Sequence, residues 1–186
     1  HLVRNVRRAT LEGEGAATLH AKLAEMWAGR QGPRARRMEA HHRLESGSEV
    51  EPDWIKDTVA EIMQGDSSAA AVVLDHAIES NPEEGLFELA ADIALERGET
   101  KVASGYIESL SDGPRKDMAS SRLARAEGEW GKADELEASA ISRLDPEDRI
   151  RAEISSLVRK YDDRIPGTES KICLLYTSDA ADDRVS

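Results

Sequence analysis

The chain has 186 residues, close to one ordinary domain, with 39% hydrophobic and 33% charged residues and a net charge of −12. A single cysteine excludes an internal disulfide framework and a cysteine-based zinc cage. No apolar run approaches the ~20 residues that span a bilayer, and the acidic balance argues against nucleic acid as a partner.

One Phe among many small and aliphatic residues suits closely stacked helices better than an aromatic core. Charge is uneven. Residues 1–43 carry nine basic and four acidic residues, whereas residues 44–172 carry fifteen and thirty. The basic start, with "RNVRR" and "RARR", touches an acidic partner, forms a solvated face or contacts a missing domain.

Residues 11–50 are expected to form an irregular helical hairpin. "AATLHAKLAEMWAG" puts Leu19, Leu23, Met26 and Trp27 on one face. "RARRMEAHHRLESG" does the same with Met38, Ala40, His41 and Leu44, and Gly47 closes it. A looser link lies around Gly32-Pro33. His41 and His42, with His20, raise a metal reading, but adjacent helical residues point about 100° apart. No metal or cofactor is therefore expected, and one histidine should pack between helices while the other is exposed.

Residues 51–146 divide into three units of one layout: "EPDWIKDTVAEIMQGDSSAAAVVLDHAIESNP", "NPEEGLFELAADIALERGETKVASGYIESLSDGP" and "GPRKDMASSRLARAEGEWGKADELEASAISRLDP". Each starts near a proline, runs as a helix, meets glycine plus an acid, and runs as a second helix to the next proline. Glycine accepts the left-handed turn that ends a helix, and the acid can cap the next one. Proline suits a first turn and not a helix interior.

The expected inward residues are Trp54, Ile55, Thr58, Val59, Ile62 and Met63, then Ala70, Val73, Leu74, Ala77 and Ile78. In the second unit they are Phe87, Ala90, Ala91, Ala94 and Leu95, then Val102, Ala103, Tyr106, Ile107 and Leu110. In the third they are Met118, Leu123 and Ala124, then Trp130, Ala133, Leu136, Ala140, Ile141 and Leu144. Ala70, Ala103 and Ala133 each lie five residues past the turn glycine. Residues 147–165 continue as a terminal helix with Ile150, Ile154, Leu157, Val158 and Tyr161 on one face, and residues 166–172 as a loop.

This layout resembles tetratricopeptide-type repeats, helical hairpins of about 34 residues. "GDSSAAAVVLDHAIESNP" and "GEWGKADELEASAISRLDP" carry the likeness best. The first helices depart from it, with Asp57, Ala90 and Ser120 where the family usually has leucine. The resemblance implies an all-α fold, a right-handed superhelix of tetratricopeptide-like hairpins (an α-α solenoid). It also implies an inner surface lined by first helices. On that geometry Glu88, Asp92 and Glu96 form an acidic stripe and Arg115, Arg122 and Arg125 a basic one. Together they would grip a peptide's charged groups; alternatively the two stripes pair with each other across adjacent helices.

At the N-terminus "HLVRNVRRATL", "LHAKLAEMWA" and "MEAHHRLESG" resemble the junction after the winged-helix element of STAND-type signalling ATPases. Residues 1–10 would then be the remnant of an upstream domain. At the other end "CLLYTSDAADD" resembles the conceptual translation of a transposase-type sequencing adapter. Residues 173–186 are accordingly expected to be a non-native, disordered tail, with no functional weight on Cys173.

No phosphate loop, nucleophile elbow or metalloprotease motif occurs. The expectation is a non-catalytic, cytoplasmic segment of a larger, truncated protein that binds protein, peptide or another domain of the same chain. A STAND-type ATPase or transcriptional regulator is one such parent. Two alternatives stand: a stand-alone scaffold or co-chaperone-like adaptor, and an accessory repeat region of an enzyme.

Overall fold

The computed structural model describes residues 14–162. All regular structure there is helical, in nine helices: α1 (Glu14–Ala28), α2 (Pro33–Glu45), α3 (Pro52–Met63), α4 (Ser67–Ser80), α5 (Glu84–Glu96), α6 (Thr100–Glu108), α7 (Pro114–Ala126), α8 (Trp130–Ser142) and α9 (Pro146–Asp162). Consecutive helices pack against each other in a row, and α3, α5 and α7 also touch in turn. The upstream segment, the loop and the adapter-like tail expected from the sequence lie outside the described residues.

Proline punctuation sets the helix starts. Pro33, Pro52, Pro114 and Pro146 are each the first residue of a helix, where the missing N–H costs nothing. The turns between paired helices are of two kinds. Gly98 and Gly128 have φ of 74° and 81°. At Gly98 the glycine N–H reaches Leu95 O and the Glu99 N–H reaches Ala94 O; Gly128 and Glu129 repeat this with Arg125 and Ala124. This double closure satisfies carbonyls that the helix end leaves open. Gly65 is not left-handed. There Asp66 accepts from the Ala69 N–H at 2.9 Å and caps α4. Glu99 and Glu129 make no side-chain cap and leave only their negative charge beside the start of the next helix.

Ala70, Ala103 and Ala133 are all 0% exposed. A methyl group at that point lets two helix backbones approach closely, so the shared offset reports a shared crossing. The main apolar core spans α2 to α5, with Leu44, Ile55, Val59, Ile62, Leu74 and Leu86 at its centre. A smaller cluster of Ala91, Ile107, Leu110 and Ala119 joins α5, α6 and α7. Several expected inward residues are not buried. Trp130 is 59% exposed and Val102 47%. Each lies beside a helix's seam rather than on it: Ala103, not Val102, takes the seam, and neighbouring helical positions diverge by about 100°. Leu19 and Met26 of α1 are also exposed. Leu86 and Ile93, which the sequence reading omitted, are buried instead.

Candidate functional site

The two charged stripes meet at Arg122. Its Nη2 lies 3.2 Å from Glu88 Oε1 and its Nε 2.8 Å from Asp92 Oδ1. α5 and α7 pack side by side, so the pairing runs between neighbouring first helices. Burial pushes the Asp92 carboxyl above its usual range, against the pull of Arg122. Arg115 faces Glu84, whose carboxyl is held below its usual range first by hydrogen bonds from Ser111 and then by the Arg115 charge. Among the described residues Arg115 and Glu96 form no salt bridge. The structure therefore brings Glu88, Asp92 and Arg122 together and leaves Arg115 and Glu96 at the margins.

Arg125 points elsewhere. Its side chain is 12% exposed and reaches α8, 2.7 Å from Glu137 Oε2 and 3.0 Å from Asp134 Oδ1. Glu137 is buried. Its other oxygen accepts from Arg159 Nη1 of α9 at 2.7 Å, and Lys160 Nζ stands 3.9 Å from Oε2. One carboxylate thus ties α7, α8 and α9. Nothing in the sequence separated Glu137 from the many surface carboxylates, because its role depends on α9 folding back over α8.

A second constellation lies at the other end. His20 of α1 and His42 of α2 place their Nδ1 atoms 3.2 Å apart. His41 closes a triangle, with ring centroids 5.0 Å from His42 and 6.0 Å from His20. One nitrogen from each of the three lies within 4.8 Å of the others, and His41, Glu45 and His76 form a second set within the same limit. His42 is buried and His41 exposed, as expected. Burial pushes both imidazoles below the ordinary histidine range. His41 and His76 line a cleft of about 490 Å³ between α2 and α4, along with Met38, Leu44, Val72 and Val73. The sequence-based expectation of no metal site rested on the 100° divergence of His41 and His42 and on the absence of an acid at a matching helical offset, and Glu45 contradicts the second ground. The third ring, His20 from α1, stands close enough to both for the divergence not to separate them. His41 and Glu45 lie four residues apart on one helix face, a spacing readable along the chain.

A third feature is apolar. α9 exposes Ile150 (48%), Ile154 (39%) and Val158 (48%), one stripe at a spacing of four. No helix among the described residues is long and apolar enough to cross a membrane. No family model, no curated protein and no solved structure matches the chain significantly.

Proposed function

We propose that this chain is a non-catalytic protein-binding segment of a larger protein, built from tetratricopeptide-like hairpins that wind into a right-handed superhelix. Its partner is an amphipathic helix, from another protein or from another domain of the same chain. The observation that carries this reading is the open stripe of Ile150, Ile154 and Val158 on α9. In stacked helical hairpins each unit buries its apolar face under the next. The outermost described helix, with three exposed aliphatic residues in line, is complementary to another helix's apolar face. The acidic surface does not suit nucleic acid. The charged face of α5 and α7 supports a peptide grip less well, because Arg122 is already paired with Glu88 and Asp92. A STAND-type parent, cytoplasmic location included, fits the N-terminal motif and rests on it alone.

A displayed library of amphipathic and extended charged peptides, selected on the purified chain, tests the proposal. Amphipathic helices should be enriched, and Ile150→Asp with Ile154→Asp should weaken their binding at least tenfold with unchanged helicity. No enrichment, or equal binding by the variant, overturns it. So does enrichment only of extended charged peptides whose binding depends on Arg115.

A further inference from the structure

We propose that His20, His41 and His42 form a three-histidine site for a divalent transition-metal ion of the zinc class, joining α1 to α2. The argument is geometric. Zinc–nitrogen bonds of about 2.0–2.1 Å place neighbouring donors of a tetrahedral site roughly 3.3–3.4 Å apart. The Nδ1 atoms of His20 and His42 stand 3.2 Å apart, so two donors already have a chelating separation. The third donor comes from His41, whose nitrogen lies within 4.8 Å of the others. His41 is exposed, so rotation of its side chain closes the remaining gap without disturbing the core.

Two neutral imidazoles facing each other through Nδ1 can share a proton, as a hydrogen bond. An ion takes that place if the proton moves through solvent to Nε2 of the same ring, which leaves both rings neutral. Imidazole nitrogens without thiolates suit zinc, nickel and copper, and suit magnesium and calcium poorly. Three protein ligands leave a fourth position for water. Glu45 and His76 form a competing set on His41.

The location gives the ion a structural consequence. Of its described side chains, α1 buries only Ala24 fully, and Leu19 and Met26 are exposed. Its other apolar contacts, from Leu23 and Trp27, are only half-buried. A metal staple between His20 and the His41–His42 pair would fasten it.

Cobalt(II) titration of the full chain is the test, since tetrahedral cobalt has strong visible bands. The expected result is one ion per chain, displaced by zinc. His20→Gln and His42→Gln should each weaken binding at least tenfold with helicity unchanged. Glu45→Gln, His76→Gln and His1→Ser should leave binding intact. Zinc should slow amide exchange in α1 of the parent chain and not of His20→Gln. Absence of the cobalt bands means a hydrogen-bonded histidine pair only and overturns the site. Loss of binding in His76→Gln or Glu45→Gln with retention in His20→Gln overturns it by moving the ion to the competing set. Loss in His1→Ser overturns it by moving the ion to the N-terminus.

Discussion

Glu137 is a carboxylate buried beneath two guanidinium groups, Arg125 and Arg159. Removing one partner of a buried pair leaves uncompensated charge and costs about 3–5 kcal/mol. Here Asp134 still reaches Arg125 and the Arg159 side chain is 38% exposed. Glu137→Gln should therefore lower stability by about 2–3 kcal/mol, below that range. Urea unfolding would measure it, and the amides of α9 should exchange faster than those of α3. For the same reason Arg125→Glu is a poor probe of any peptide groove: it sets a second carboxylate against Glu137. Tyr106 carries a different residue-scale signal. Its hydroxyl donates to Asp75 of α4, and burial first, then Asp75, pushes its pKa up to about 12. The unfolded tyrosine ionises near about 10. Between about pH 10 and pH 12 the unfolded chain thus loses this proton while the folded chain keeps it, so stability falls as pH rises. Tyr106→Phe should flatten that slope, whatever it does to the level. Urea midpoints at about pH 9 and about pH 11 for both chains would show it.

At the scale of the element, the turns differ although each was read as glycine plus acid. Gly98 and Gly128 are left-handed, and no heavy atom lies within 4 Å of an added Cβ at either. The cost of a side chain there is backbone strain alone, about 1–2 kcal/mol. At Gly65 an added Cβ meets Ile62 O and Pro33 at 3.9 Å, ordinary contact, with no positive φ. Gly98→Ala should lower the thermal midpoint, while Gly65→Ala should be neutral or stabilise by up to about 1 kcal/mol by restricting the unfolded chain. Equal losses at both positions would contradict the two turn geometries. The aspartate at Asp66 explains the difference. Its short side chain caps α4 directly, whereas Glu99 and Glu129 leave the turn to the glycine and the backbone.

At the scale of the molecule, the centre of the described stack and its C-terminal part are held by different forces. From α2 to α5 the stack rests on aliphatic burial around Ile55, Ile62, Leu74 and Leu86. Arg43 and Arg36 add cation–π contacts to Trp54 at 4.4 Å and 5.7 Å. From α7 to α9 it rests on alanines and on the Glu137 cluster, with Ser121 Oγ donating to Ala133 O at 2.8 Å in the interior. Stacked hairpins stabilise one another through their nearest neighbours, so this end should open before the centre. α1 and α9, the outermost described helices, are also where the histidine triangle and the open apolar stripe lie.

The sequence by itself determined the helices, their proline starts and the offset of Ala70, Ala103 and Ala133, because these depend on neighbours within a few residues. It also determined much of the core of α3 and α4, where the 3.6-residue period is strong. The tertiary structure alone decided which side of α6 and α8 turned inward, leaving Val102 and Trp130 exposed. It alone decided that Arg125 serves Glu137 and that Arg122 is shared by Glu88 and Asp92. It also brought His20 to His42 and His76 to His41. Each of these depends on how one helix is rotated and placed against another, and a period read along one helix does not contain that relation.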